Sequence, residues 1–481
     1  MIRLLLLITC FTLLSTPSWA EAAPNFLVFI ADDQGFGDLS CYGHPTLKTP
    51  HIDRLAREGI QFERAFLTTS SCSPTRCSFL TGRYPHNTGA EDLHEPLPAD
   101  QKSLATYLQP AGYYTMAVGK WHLGDAEKTH WNAIQECSGA ETATKALELL
   151  ESRPKDKPFF FWVASKDPHR PFDDIKPVRS TDSEREIRPF YTAKDVIVPP
   201  YLPDHELIRE DIADYYNEIV RFDAHVGIIL NELADQNVLD ETFIVYLSDN
   251  GMPFPRAKTT LYDSGIRTPL LVRYPPLVKA GRVQRELVSS IDIAATMLDL
   301  VDIDAPTVQG RSIKNLLTDP EATGRDAIFA EANWHDFEQF TRAVRTDRFL
   351  LIRNYYWEKP LWNSVDSVNS KTWMGFQQAL SQGELTEAQK FLLVEPRPFE
   401  ELYDLQLDPH SLENVAANSE YAEHLNALRI RLDNWRVETN DVMPDEPRRD
   451  GWTRDGRPLP HNQPWYDRYI KAGGENNFEK F

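Results

Sequence analysis

Apolar residues gather along this chain in short, nearly uninterrupted runs, separated by longer stretches of helical periodicity. Asn25–Ala31, Thr115–Val118, Phe159–Ala164, Thr242–Leu247 and Leu270–Arg273 are runs of this kind. A run that does not alternate fits a strand covered on both faces. Amphipathic spacing fills the intervals, in Ser103–Ala111, Glu141–Arg153, Asp211–Ala234 and Ser289–Val301. A further helix is predicted over Pro50–Gly59, opened by proline and closed by glycine. Strands alternating with helices predict an α/β fold, a mostly parallel sheet covered by helices on both faces.

The texture changes near Ala322. Ala327–Ala330, Arg342–Thr346 and Phe349–Asn354 read as shorter strands, the last two a hairpin turning at Asp347-Arg348. Glu401–Leu405 precedes a turn and Asn414, and Glu420–Val437 reads as a closing helix. This predicts a smaller C-terminal α+β domain on an antiparallel sheet. The expected division is 21–321 for the first domain, 322–438 for the second, and a polar surface tail over 439–481. Phe172–Leu202, proline-rich and charged, is expected as a long surface excursion that shapes a rim.

Each apolar run gives way to polar or small residues. Asp32 and Asp33 end the first, and Gly119-Lys120-Trp121-His122 ends the second. Asp167-Pro168-His169-Arg170-Pro171 comes after the third, and Ser248-Asp249-Asn250-Gly251 after the fourth, with Lys258 soon after. Open α/β sheets bind ligands beyond the carboxyl ends of their strands, so these side chains are expected at one edge. Asp32, Asp33, Asp249 and Asn250 offer only oxygen, which suits a hard cation, Ca2+ before Mg2+. A turn or cap explains any one of the four; two pairs at equivalent strand ends point to an ion. Arg76, Lys120, His122, His169 and Lys258 would supply positive charge or protons around it.

Charge and the N-terminus narrow the picture. In 481 residues, Lys+Arg of 51 against Asp+Glu of 72 leave a net charge of −21. That balance argues against nucleic-acid binding, and an anionic substrate then needs a local basic pocket set against the overall field. Met1–Ala20 joins Arg3, the apolar run Leu4–Leu14 and Ser18-Trp19-Ala20, the pattern of a signal peptide. Export to the periplasm or beyond is expected. The apolar run is too short to span a bilayer, and no later segment is apolar enough. Cys41, Cys72, Cys77 and Cys137 remain after cleavage, too few for a disulfide scaffold.

One stretch organises the rest: Ser71-Cys72-Ser73-Pro74-Thr75-Arg76, continuing to Leu80-Thr81-Gly82-Arg83. Pro74 suits a first helical turn, which sets Cys72 at a helix N-terminus, where backbone N–H groups favour negative charge. Arg76, four residues on, is expected to return beside Cys72. The plainer reading of Cys72 is a buried thiol or a disulfide partner of Cys77. The whole string, Cys-x-Pro-x-Arg followed by Leu-Thr-Gly-Arg, resembles the maturation motif of the type I sulfatases, and the resemblance extends over most of the chain. It implies an alkaline-phosphatase-like fold. It implies conversion of Cys72 to formylglycine (3-oxoalanine) by a formylglycine-generating or sulfatase-maturating enzyme. It also implies a Ca2+ site formed by Asp32, Asp33, Asp249, Asn250 and the converted Cys72.

The same resemblance implies that Arg76 and Lys120 hold the aldehyde hydrate that attacks sulfur. His122 is then the base that later releases sulfate, while His169 and Lys258 bind the sulfo group and protonate the departing atom. The implied substrate is a sulfated carbohydrate. Trp334, His335, Arg170, Arg179, Arg188 and Trp357 are candidate sugar contacts, each with an ordinary surface or packing role as the plainer reading. Asp167–Arg170, Asp195–Tyr201 and Asp249–Pro255 most resemble the N-sulfatase (sulfamidase) branch. Lys258, however, stands where that branch is expected to carry arginine and where O-sulfatases commonly carry lysine. Sulfate esters and N-sulfo groups both stay open. So do two rivals: a phosphatase or phosphonate hydrolase of related fold, and an unconverted glycan-binding protein.

Overall fold

The computed structural model describes residues 23–173, 175, 189–361 and 363–445. The expected leader over 1–20 and most of the expected tail lie outside the described residues. Among the described residues, nine strands form the first sheet: β1 (Asn25–Ala31), β2 (Ile60–Phe66), β3 (Tyr114–Gly119), β4 (Ala133–Gln135), β5 (Phe159–Ala164), β6 (Thr242–Ser248), β7 (Arg267–Arg273), β8 (Arg282–Gln284) and β9 (Val288–Ser289). Their order is β4-β3-β5-β1-β6-β7-β2-β8, with β9 also beside β2. Neighbours from β4 to β6 are parallel, and β7 runs antiparallel to both β6 and β2.

Every residue of β1, β5 and β6 is buried, as an unbroken apolar pattern requires. Phe26, Val28 and Ile30 of β1 face Phe79 and Leu80 of the helix Cys72–Thr81 and Met297 of the helix Ile291–Asp299. Leu27, Phe29 and Ala31 face the other way, against Phe222, Val226 and Ile229 of the helix Glu206–Asp235 and Leu149 of the helix Thr142–Ser152. Helices thus cover both faces. Each large apolar side chain so buried contributes roughly 1.5–3 kcal/mol, which fixes the central strands and the positions of their ends.

A second sheet comes later in the chain, antiparallel and ordered β10 (Ile328–Trp334), β11 (Glu338–Arg345), β12 (Phe349–Asn354), β13 (Glu400–Asp404). The closing helix Ala422–Thr439 packs Leu425, Leu428, Leu432 and Trp435 against Val344, Leu351 and Leu402. Among the elements not expected are β2 and the helix Lys371–Gln382, whose Phe376 and Ala379 join Tyr262, Leu350 and Ile352.

The segment expected to be a surface excursion is partly core. Tyr191, Val196, Tyr201 and Leu202 are buried with Tyr215, Tyr216 and Phe254, because the apolar residues between its prolines meet the aromatic flank of Glu206–Asp235. Residues 174 and 176–188 of that segment, Arg179 and Arg188 among them, are outside the described residues. The expected tail also starts in the interior, since Asp441 is buried and pairs with Arg342 at 2.7 Å. Cys72 and Cys77 are both free thiols, so the disulfide alternative is not formed.

Candidate active site

Parallel registry sets the site. Ala31 of β1 lies opposite Ser248 of β6, so Asp32-Asp33 and Asp249-Asn250 leave the sheet at the same edge. The Asp33 backbone N–H donates to Asp249 Oδ1 at 3.1 Å, and Asn250 Nδ2 donates to Asp33 Oδ1 at 2.5 Å. The next loop comes from β3. Gly119 has φ +90, and a Cβ there would fall 1.9 Å from the Ala164 carbonyl oxygen. Only glycine makes this turn, which returns Lys120 over the end of β1, where Nζ donates to Asp32 Oδ1 (2.9 Å) and Oδ2 (2.7 Å).

Cys72 is the first residue of the buried helix Cys72–Thr81, after an extended Ser71. Its Sγ lies 3.8 Å from Asp33 Oδ1. Burial pushes the thiol far above its ordinary range, against the pull of Lys120 and Lys258, so as a thiol it stays protonated and weakly nucleophilic. Arg76, expected beside Cys72, also grips an acid: Nε and Nη2 reach Asp249 Oδ2 at 2.9 and 2.8 Å, and Nη1 reaches the Lys120 carbonyl at 3.1 Å. Burial disfavours its charge, but Asp249 and Asp32 outweigh burial and hold it ionised.

Lys258, almost wholly buried, donates to Asp33 Oδ2 at 2.7 Å. Desolvation opposes its charge; Asp33 overrides this and holds it well above the usual lysine range. His169 Nε2 stands 3.2 Å from Lys258 Nζ and 3.8 Å from Asp33 Oδ2. Its Nδ1 meets the Arg170 carbonyl, which only accepts, so Nδ1 carries hydrogen and Nε2 faces the lysine. His122 packs Nε2 2.6 Å from His94 Nδ1, and its own Nδ1 is buried without a hydrogen-bond partner. Burial, then Lys120 and His94, hold His122 far below the usual histidine range, so it is neutral at neutral pH and keeps a ring nitrogen free to accept a proton.

Two of the four expected oxygen ligands, Asp32 and Asp33, belong to a cluster able to hold a metal ion. Ligand atoms of Asp32, Asp33, Cys72 and His169 lie within 4.8 Å of one another. Asn250 Oδ1 is buried with no hydrogen-bond partner, which costs ~1–3 kcal/mol unless something meets it. All ten candidate residues read from the sequence therefore cluster at the edge of the first sheet. The rim candidates fare differently. Arg170 is committed to Asp211 at 2.8 and 2.6 Å and stacked on Phe172 and Phe254, and Trp334 is buried. His335 enters the site through Nδ1, 2.8 Å from Ser71 Oγ. Asp366, unforeseen, also enters, 3.1 Å from Lys258 Nζ; a lone acid more than a hundred residues from its partner leaves no spacing signal.

Residues 24–303 match the sulfatase family model. The chain belongs to the sulfatase family. Residues 256–392 of this sulfatase also match a model described as N-sulphoglucosamine sulphohydrolase, C-terminal. It is 33% identical over 477 residues to N-sulphoglucosamine sulphohydrolase of Homo sapiens, covering 90% of this chain and 94% of that one. It is 30% identical over 464 residues to an ulvan-active sulfatase of Formosa agariphila, covering 87% of this chain and 75% of that one. Among solved structures, one in complex with its substrate D-glucosamine-2-N,6-O-disulfate superposes with TM-score 0.67 at 23% identity, covering 88% of this chain and 99% of that chain. The phosphonate monoester hydrolase of Agrobacterium radiobacter superposes with TM-score 0.64 at 21% identity, covering 88% and 99%. The alkaline-phosphatase-like fold therefore accommodates both reaction classes, and it is family membership that makes this enzyme a sulfuric ester hydrolase.

Proposed function

We propose that this sulfatase is an exported enzyme that releases sulfate from a sulfated polysaccharide or its oligosaccharides, using formylglycine at position 72 and Ca2+. One juxtaposition carries the reading: Cys72 Sγ on the first turn of a buried helix, 3.8 Å from Asp33 Oδ1, with Arg76, Lys120 and Lys258 on the acids around it. Asp32, Asp33, Asp249 and Asn250 would hold the ion, with residue 72 reaching it. When present, the ion offsets three carboxylates and polarises a sulfo oxygen, and the converted side chain supplies a hydroxyl nucleophile.

The chain's own groups have distinct tasks in this reading. Arg76 and Lys120 keep the acids ordered and hold residue 72 by charge. Lys258 binds sulfo oxygens. His169, whose hydrogen sits on Nδ1 when neutral, must first take a proton at Nε2, beside the Lys258 ammonium, and then gives it to the departing atom. His122, neutral because it is buried among cations, takes the proton whose removal frees sulfate. The leader over 1–20 supports export, and maturation requires a formylglycine-generating or sulfatase-maturating partner.

A narrower reading is favoured by a specific observation. The match to N-sulphoglucosamine sulphohydrolase covers nearly the full length of both chains, and the C-terminal model of that description matches separately. Hydrolysis of N-sulfoglucosamine is therefore preferred over ester hydrolysis. The test is a panel of sulfated oligosaccharides scored for free sulfate by position. Release from N-sulfated glucosamine supports the narrow reading, release only from O-sulfates retires it, and no release from any sulfated sugar defeats the broader one.

A further inference from the structure

A carboxylate stands where an anion is to bind. Asp366 lies on the short helix Val365–Val368, capped by the Ser364 side chain. Its Oδ2 is 3.1 Å from Lys258 Nζ and 3.6 Å from His169 Nε2. The Asp366 side chain is 35% exposed against 1% for Lys258, so Asp366 sits at the mouth of the site, outside the buried cation. The helix is fixed from two sides: the Val365 N–H donates to Asp336 Oδ2 at 2.8 Å, and Ser367 Oγ donates to the Pro253 carbonyl at 3.4 Å. Among the described residues, no hydrogen bond reaches Asp366 Oδ1.

A counter-ion role accounts poorly for this placement. Lys258 already has Asp33 at 2.7 Å, and a second acid reduces the positive charge that an anionic group needs. The position makes sense where the incoming group is a hydrogen-bond donor. A sulfo group held at Lys258 would turn the atom that joins it to the sugar toward the mouth beside His169. In a sulfamate that atom is nitrogen carrying hydrogen. In a sulfate ester it is oxygen carrying only lone pairs, which a carboxylate repels.

We propose that Asp366 is a specificity-determining residue that accepts a hydrogen bond from the N–H of the scissile sulfamate and thereby selects N-sulfo groups over sulfate esters. This rests on the sulfatase reading above and deepens it. A site built to meet an N–H discriminates against the analogue that lacks it, because its acceptor is left unpaired. Partial exposure of Asp366 limits the effect to roughly 10- to 100-fold, well below that of a fully enclosed site.

The experiment measures kcat/KM on N-sulfoglucosamine and on glucosamine 6-O-sulfate, using enzyme whose residue 72 is verified as converted. Wild type, Asp366→Asn and Asp366→Ala are compared, with melting temperatures to confirm folding. Wild type is expected to favour the sulfamate by about tenfold or more, and Asp366→Ala to lower that ratio by about tenfold or more. Asp366→Asn, which keeps an acceptor oxygen, is expected to fall between. A parallel loss on both substrates means that Asp366 acts only through Lys258 and overturns the inference. So does a wild type that treats the two substrates alike, a result that needs no variant. Wild type inert on both substrates also overturns the inference, since no sulfamate is then hydrolysed, and the broader sulfatase reading falls separately, only if no sulfated sugar of the panel releases sulfate.

Discussion

Lys258 Nζ lies 2.7 Å from Asp33 Oδ2, and both side chains are buried. An ammonium and a carboxylate removed from water together depend on each other: breaking such a pair costs ~3–5 kcal/mol because one charge remains uncompensated. Lys258→Ala is expected to lose that much stability in chelator-treated protein and less with calcium present, since the ion meets Asp33 in place of the lysine. Denaturant titration under both conditions checks this. An equal loss in each would show that Asp33 does not face the ion.

Under the proposed function calcium binds the folded site and not the unfolded chain, so it is expected to stabilise by mass action, about 2.7 kcal/mol at a hundredfold excess over Kd. Chelation is expected to lower the melting temperature and abolish sulfate release, and added calcium to restore both. Restoration by zinc but not calcium would point to the phosphatase-type rival.

The loop that carries Lys120 depends on one residue without a side chain. Gly119→Ala places a methyl group on the Ala164 carbonyl at a positive φ, a strain of order 1–3 kcal/mol. Displacing Lys120 from Asp32 is expected to reduce kcat by ~100-fold. A fully active, equally stable Gly119→Ala enzyme would contradict the loop's role.

Stability should depend on pH through Asp38. Burial raises its carboxyl from 3.8 to about 7, against the opposing hydrogen bond from Tyr215. The folded state therefore holds this proton more tightly than the unfolded one. The contribution is complete below 3.8 and is lost as pH rises through 7. Asp38→Asn is expected to flatten the decline between these values and to gain stability relative to wild type at the upper end. Melting curves across the range test this; an unaltered slope would show that Asp38 is ionised in the fold.

Much of this was legible in the sequence. The central strands announce themselves because strands buried on both faces tolerate no polar position, and parallel order then brings their ends together. That is why Asp32, Asp33, Asp249 and Asn250 group together on pattern alone. β2 was not legible, since Ile60–Phe66 mixes Gln61, Glu63 and Arg64 among apolar residues and is buried only on part of its length. The spacing puts Arg76 on the correct helix, near enough to Cys72 to feel its charge, but does not foresee its grip on Asp249. Helical spacing gives the face a side chain leaves from; the nearby Asp249 decides where a long guanidinium ends. Asp366 and His335 come from beyond the first sheet, and only the packing of the second sheet against it brings them to Lys258 and Ser71.

The most direct measurement is the mass and carbonyl reactivity of the peptide spanning Cys72, taken from enzyme that releases sulfate. An aldehyde at position 72 is the expected result. An intact thiol in protein with full sulfatase activity would contradict the proposed chemistry at its first step.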